Sequence, residues 1–330
     1  MEKSNSFNNS NEQSASQLSQ EERYGKASLM VYKTDFSKET IDEFMKLEDE
    51  GFTEASIALG QFAQAFDDNV AFAHFKKAAD AGSAEGAWSC AAIIGHSKNP
   101  DFWGKDKEWY DFCLKAAKGG CCDAMNELGN AYNRKDDYLA AFYWYNMATW
   151  YEHPEGVYGV EGTLDKWSKS DKPALSESID GVSGVEVGAA KYAFRVSIGE
   201  EQLTPQKVNE LMILCLVGSE FMPLFLGHFF EDVIKSDKLA KTYYQVAGHN
   251  HSIMGMKCIG DMLAYGKGCT QDMDKAYSWF RAAANADEKT ACFIMGEYYR
   301  MSNKYLAAYW YAKAARRGYD AARVRMLAVL

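Results

Sequence analysis

Histidine and cysteine are the side chains in this sequence best suited to metal binding, because imidazole nitrogen and thiolate are common zinc ligands. His249 and His251 form a His-x-His pair in a predicted turn, and Cys258 lies nearby in the sequence. No further ligands stand at the spacing that a zinc site requires. We therefore interpret the pair as solvent-exposed side chains, with adventitious metal binding as the alternative.

Cysteine could also supply redox chemistry, which requires an accessible thiolate. Cys113 and the adjacent Cys121 and Cys122 flank the turn KAAKGG. This arrangement does not recur elsewhere in the chain. The pattern therefore favours buried small hydrophobic side chains, with a redox role as the alternative.

Motifs for phosphate binding or acyl transfer are missing. Gly266, Lys267 and Gly268 lack the Walker spacing and its following Ser or Thr. No Gly-x-Ser-x-Gly elbow, zincin motif or CxxC pair occurs. The sequence therefore predicts no catalytic residue, no cofactor site and no metal site.

The composition indicates a helical protein with a large core. Of the 330 residues, 47% are hydrophobic, whereas only 5 are proline. Regularly spaced alternating segments with frequent turn signals are missing, which argues against a sandwich or a barrel. The net charge of -10 would repel a phosphate backbone, which argues against general nucleic-acid binding.

Neither a membrane span nor a secretion signal is predicted. A span needs about 18 consecutive apolar residues, and the best stretch, 211–218, is much shorter. The first 26 residues are polar, which predicts a disordered tail without the apolar segment of a signal peptide. We therefore expect a cytoplasmic protein with reduced cysteines.

Two phrases repeat along the rest of the chain. An apolar residue followed by glycine occurs in ALGQFA (58–63), ELGNAY (127–132), FLGHFF (225–230) and IMGEYY (294–299). Alanine with aromatic residues follows in YLAAFYWYNMA (138–148), DKAYSWFRAA (274–283) and YLAAYWYAKAA (305–315). The junction falls at Leu59, Cys90, Leu128, Leu226, Ile259, Met295 and Met326. Its interval is 31 to 38 residues apart from one of 98, which fits two helices and two turns per repeat.

These phrases resemble the Sel-one-like repeat family, a relative of the tetratricopeptide repeat. The likeness covers about 51–152 and 219–330 and is nearly complete over 259–283. It implies an all-α fold, an α/α superhelical solenoid of tetratricopeptide-like helix pairs. It also implies an adaptor that binds a protein or peptide partner.

The chain divides into four predicted parts. A disordered tail, 1–26, precedes N-terminal repeats over 27–152. A segment rich in Gly, Ser and charge, 153–184, is expected to be an irregular insertion. Residues 185–330 begin with a degenerate helix pair, near 185–197 and 205–217, and continue with further repeats.

A partner-binding surface is expected on the first helix of each repeat, opposite its core stripe. In the third repeat this face holds Asn126, Asn130 and Asn133, which can donate to and accept from a peptide backbone. Polar positions on the same face of other repeats are Gln61, Gln64, His228, Glu231, Asp261, Glu297 and Arg300. If the first helices line the inside of the curve, as the resemblance implies, these residues form a concave groove. The alternative is an ordinary solvated helix face.

Our leading interpretation is a non-enzymatic scaffold that binds a partner along the concave face. The alternative is an enzyme, or an enzyme-associated repeat protein of cell-wall metabolism, with a site near 153–184. A cluster of cations near the C-terminus, including Lys313, Arg316 and Arg323, predicts contact with an acidic partner or self-association through that end.

Overall fold

The structure is a computed structural model, and it describes residues 18–34, 37–96, 106–216 and 218–329. Every regular element within these ranges is a helix, which confirms the all-α prediction. The first nine helices are α1 (Gln20–Thr34), α2 (Lys38–Asp49), α3 (Thr53–Ala63), α4 (Asp68–Asp80), α5 (Ala84–His96), α6 (Asp106–Lys118), α7 (Cys122–Arg134), α8 (Tyr138–Trp150) and α9 (Gly156–Lys169). The remaining nine are α10 (Gly184–Ser197), α11 (Pro205–Leu216), α12 (Phe221–His228), α13 (Asp237–His249), α14 (Ile253–Tyr265), α15 (Met273–Asn285), α16 (Lys289–Tyr299), α17 (Lys304–Arg316) and α18 (Asp320–Val329), with a π-helical turn, Phe229–Val233, after α12. In this part of the chain no helix is long and apolar enough to cross a membrane.

Five of the repeats in the described ranges are antiparallel helix pairs held by a close contact at the glycine of the first helix. A Cβ added to Gly129 would lie 2.6 Å from the ring of Tyr145, so only glycine lets that ring pack against the helix backbone. The same contact joins Gly60 to Phe75, Gly227 to Tyr244, Gly260 to Phe280, and Gly296 to Tyr311. The repeated phrases in the sequence are therefore the two halves of one packing contact.

Helices α8 and α17 are buried on nearly all sides. Of the 13 residues of α8, 11 are buried, and α17 is buried without interruption from 307 to 315. A helix that is apolar all round requires cover on its outer face. Helices α9 and α10 cover α8, and α1 covers α17.

Three tryptophans stand at the same place in the second helix of their repeats, and two of them are buried. Trp144 and Trp310, on the covered helices, are 2% and 8% exposed. Trp279 is only half-buried and lies against the edge of His249, at 5.3 Å between ring centroids. α15 packs mainly on α14 and α16, whereas α8 and α17 each pack closely against a further helix.

The two ends of the solenoid meet. A Cβ added to Gly25 on α1 would overlap the carbonyl oxygen of Tyr305 on α17, so the two backbones are in direct contact. Tyr24 packs edge-on against Tyr309 at 6.0 Å and contacts Phe52 at 5.7 Å. The solenoid therefore closes on itself through contacts between its first and last helices.

Two predicted boundaries differ from the structure. The tail was expected to reach residue 26, but α1 begins at Gln20, and residues 1–17 lie outside the described ranges. The insertion was expected to be irregular, but α9 occupies much of it and packs on α8. Its glycines suggested a loop. However, a Cβ added to Gly159 would overlap the ring of Tyr145. Glycine there serves close helix packing.

Candidate functional site

The predicted asparagine triplet on α7 takes part in packing between helices. Asn126 is 5% exposed, so the prediction that it contacts a partner is wrong. Asn130 accepts a 2.7 Å hydrogen bond from the hydroxyl of Tyr145. The carbonyl oxygen of Asn133 accepts a 2.8 Å bond from Lys166 on α9. These contacts tie α7 to the two helices that follow it.

The residue after the repeat glycine often forms a hydrogen bond with the hydroxyl of a buried tyrosine on the second helix. The hydroxyl of Tyr244 donates to Glu231 at 2.8 Å and lies 3.0 Å from Nδ1 of His228. Tyr311 donates to Glu297 at 2.7 Å. A buried tyrosine needs such a partner for its polar end. Most of these predicted partner-binding residues therefore serve as hydrogen-bond partners of buried tyrosines within the fold.

The remaining predicted residues are more accessible. Asp261 forms a 3.1 Å ion pair with Lys257 on the same helix. Gln64 and Arg300 are exposed, as is Gln61. Of the ten predicted positions, Gln61 is the one that lines both of the spaces described below.

The histidine pair and the paired cysteines occupy different surroundings. His249 and His251 are exposed at the turn between α13 and α14. Cys113 is fully buried, whereas Cys121 and Cys122 are half-buried beside the start of α7. Burial raises the pKa of the Cys113 thiol to about 12, which opposes formation of a reactive thiolate.

Arg316 joins the C-terminal repeat to the N-terminal helices. Its guanidinium pairs with Glu54 at the start of α3 and donates to the hydroxyl of Tyr24 on α1. Its Nε lies 3.4 Å from Glu85 at the start of α5. The arginine side chain is 10% exposed. The contact thus connects residues more than 200 positions apart in the chain.

Lys313 and Arg317 extend this network. Lys313 lies 3.2 Å from Glu54 and 2.7 Å from Asp287. Arg317 lies 3.0 Å from Glu85 and 2.7 Å from Asp287. Three cations of α17 and its C-cap therefore meet three carboxylates. Burial acts to raise the pKa of Glu54, but the charges of Arg316 and Lys313 outweigh it and lower that pKa to about 2.

A groove of about 840 Å³ lies where the two ends meet, between α1, α3, α17 and α18. We call it the closure groove. It is lined by Tyr24, Ser28, Val31, Phe44, Ala58, Gln61, Phe62, Ala65, Phe66, Ala312, Ala315, Arg316 and Arg323. Phe66 is 77% exposed, whereas Tyr24 and Phe44 form a buried floor. The groove therefore offers uncovered aromatic surface above an alanine-rich wall.

A second space, the central cavity, adjoins the closure groove and holds about 480 Å³. Its wall includes turns between repeats, within 84–89, 119–123, 151–154, 253–254, 286–289 and 316–318. Gln61 and Arg316 line both spaces. Residues of both the N-terminal and the C-terminal repeats therefore line this cavity.

Two buried carboxylates lie beside the end of the predicted insertion. Glu186 accepts hydrogen bonds from the amide of Glu220 at 2.6 Å and from the hydroxyl of Ser219 at 2.9 Å, which caps the start of α12. Glu220 accepts a 2.7 Å bond from Tyr151. Burial raises the pKa of both carboxyl groups. The adjacent space of about 90 Å³ has room for a few water molecules.

Sequence reasoning missed the closure, although one signal for it was present. The phrase YLAAYWYAKAA (305–315) is apolar on every face, like YLAAFYWYNMA (138–148), and unlike the amphipathic DKAYSWFRAA (274–283). An all-apolar helix near the end of a repeat array needs cover from outside its own neighbours. Lys313 and Arg316, near the C-terminal end of this helix, are also buried, and a buried charge needs a carboxylate as its counter-charge.

The fold defines an α-helical repeat solenoid, and comparison with known proteins identifies the repeats within it. The Sel1 repeat model matches residues 59–83, 122–149, 258–288 and 290–319. This chain therefore carries Sel1 repeats, as the resemblance in its sequence predicted. Such repeats generally serve as protein–protein interaction scaffolds. No curated protein sequence matches the chain.

Two solved structures are similar to the chain. One is a protective antigen present in uropathogenic Escherichia coli strains that displays an SLR fold. It has 21% identity and a TM-score of 0.37, over 93% of this chain and 70% of the antigen. The other is a Sel1 repeat protein from Oxalobacter formigenes. It has 15% identity and a TM-score of 0.34, over 93% of this chain and 96% of that protein.

Proposed function

We propose that this protein is an interaction scaffold that binds a segment of a protein partner in the closure groove and the adjoining central cavity. The observation that carries the proposal is the lining shared by the two spaces, Gln61 and Arg316. Together the two spaces form a continuous surface between the N-terminal and the C-terminal repeats. The size of each space falls within the range of about 300–1,000 Å³ typical of ligand sites.

The exposed Phe66 supports binding of a protein segment in the groove. Aromatic side chains supply large contact areas and are enriched at the energetic centres of interfaces. The alanines at positions 58 and 65 leave room for partner side chains above α3. The role is that of Sel1 repeats in general, whereas the location at the closure comes from this chain's own packing.

The enzyme alternative draws less support. The carboxylates beside the insertion, Glu186 and Glu220, are occupied by hydrogen bonds to the start of α12 and to Tyr151. The neighbouring space of about 90 Å³ is too small for a substrate-sized group. A structural role accounts for both side chains.

Self-association through the C-terminal end stays a prediction. Lys313, Arg316 and Arg317, three of the cations on which it was based, pair with carboxylates of the same chain. Any acidic partner at this end would therefore meet Arg323 first, because that side chain is exposed.

A bulky substitution in the groove tests the proposed function. Ala65 is exposed in the groove wall, so Ala65→Trp should fill the groove without disturbing the core. Ala81, exposed at the end of α4 and outside both linings, provides the matched control Ala81→Trp. We expect proteins captured from the source organism by the wild-type chain and by Ala81→Trp to be lost from Ala65→Trp. Equal capture by all three would contradict the proposal.

A further inference from the structure

The lining of the closure groove carries charge of one sign only. No acidic side chain lines it among the described residues, although the chain as a whole carries a net charge of -10. Two arginines line it, Arg316 and Arg323. Because Arg316 is paired with Glu54 and Glu85, the charge that a ligand meets in the groove is that of Arg323, and complementary charge would favour a carboxylate there.

Arg323 is the arginine of this region that is free to bind a ligand. Arg316 and Arg317 are held by carboxylates of the closure network, and Arg325 pairs with Glu297 at 2.8 Å. Arg323 is exposed and forms no ion pair within the described part of the chain. Its guanidinium can therefore receive a carboxylate in a two-point contact without breaking an existing pair.

Apart from Ser28, Gln61 and the hydroxyl of Tyr24, the rest of the groove lining is apolar. The ring of Phe66 is 77% exposed and contacts the ring of Phe62 at 5.4 Å between centroids. Alanines at 58, 65, 312 and 315 line the groove alongside Val31. Covering an exposed aromatic ring with an apolar side chain is favourable at about 25 cal/mol for each Å² removed from water.

We infer that the partner segment is an acidic and apolar peptide, whose carboxylate pairs with Arg323 while a neighbouring apolar side chain covers Phe66. This inference rests on the proposed function, since it names the partner chemistry for the same groove. A nucleic acid fits poorly, because the protein as a whole repels phosphate. A carboxylate beside an apolar side chain matches both halves of the lining.

Selection from a displayed library of random 12-residue peptides tests the inference on the full chain. The library is selected on the wild-type protein and depleted on Ala65→Trp, so that groove-dependent peptides remain. We expect these peptides to be enriched in Asp or Glu next to an apolar residue. Charge reversal by Arg323→Glu should weaken their affinity at least tenfold, whereas Arg323→Lys should retain most of it. Arg325→Glu, on the same helix but outside the groove lining, is the matched control and should leave affinity within twofold.

The outcomes separate the inference from the proposed function. Groove-dependent peptides without acidic enrichment, or with equal affinity for Arg323→Glu, would overturn the inference and leave the proposed function standing. Failure to select any peptide that prefers wild type over Ala65→Trp would overturn both. Binding of phosphatidylserine vesicles that Ala65→Trp abolishes, with no peptide enriched, would overturn both in favour of a lipid surface.

Discussion

Replacing Glu54 with glutamine perturbs the ion network that joins the two ends of the solenoid. Glu54 is 9% exposed and pairs with Lys313 and Arg316. Glutamine preserves the size of the side chain and removes its charge, so two buried cations lose a counter-charge. Breaking one member of a buried ion pair typically costs 3–5 kcal/mol. We expect Glu54→Gln to be strongly destabilised at neutral pH.

The size of the effect follows from the pKa of Glu54. A fall from 4.5 in the unfolded chain to about 2 in the folded protein corresponds to a stabilisation of about 3 kcal/mol at pH 7. Because the folded pKa is the lower one, this stabilisation is present above pH 4.5 and is lost as the pH falls through about 2. At pH 3, which lies between the two pKa values, only part of this stabilisation should remain. The difference between wild type and Glu54→Gln should shrink accordingly.

Urea unfolding at pH 7 and pH 3, followed by circular dichroism, measures this difference. The control is Glu177→Gln, because Glu177 is 91% exposed in its ion pair with Lys191. Exposed pairs contribute little, so the control should unfold at the wild-type urea concentration. An unchanged midpoint for Glu54→Gln at pH 7 would refute the role assigned to the network.

Three further predictions concern other contacts of the fold. Gly25→Ala should be destabilised by about 1–3 kcal/mol, because its Cβ would meet the backbone of α17. Gly188→Ala, whose Cβ would have no neighbouring atom within 4 Å, should be neutral or stabilised, and urea unfolding distinguishes the two variants. Trp144→Ala should lower the free energy of unfolding by about 3–5 kcal/mol, and Trp279→Ala, at a half-buried site, should lower it clearly less. Equal decreases in melting temperature for the two variants would contradict this effect of burial. Glu220→Gln should raise the free energy of unfolding at pH 7 and leave it unchanged at pH 4. Because the pKa of Glu220 is raised in the folded protein, its carboxyl group contributes fully to stability below the pKa of the unfolded chain and loses that contribution as the pH rises. A lower free energy of unfolding of the variant at pH 7 would contradict this sign.

The repeat unit could be predicted because its determinants are local. The glycine of one helix and the aromatic ring of the next lie about 16 residues apart, as at Gly129 and Tyr145. Such a contact involves one short stretch of sequence, and it recurs in five copies at a spacing of 15 to 20 residues. The all-α fold and the family followed from that recurrence.

The closure could not be predicted in the same way. Its contacts, such as those of Gly25 with Tyr305 and of Glu54 with Arg316, join residues more than 250 positions apart. No sequence spacing encodes them, and they depend on the accumulated rotation of all intervening repeats. The concave face depends on the same rotation. Asn126 is buried, as is Ile57 at the same place in its own repeat, whereas Gln61, at the place of Asn130, remains accessible.

A distance measurement between the two ends tests the closure most directly. Spin labels on α1 at Lys26 and on α17 at Lys304, both exposed, can be attached through non-natural amino acids in the full chain. Because the adjacent residues Gly25 and Tyr305 are in contact, we predict one narrow distance distribution by double electron–electron resonance, below about 30 Å for helices packed 8–10 Å apart. An open solenoid would separate the labels by about 50 Å, at 8–10 Å for each of six repeat steps. A broad distribution centred there would contradict the closure and the groove it creates.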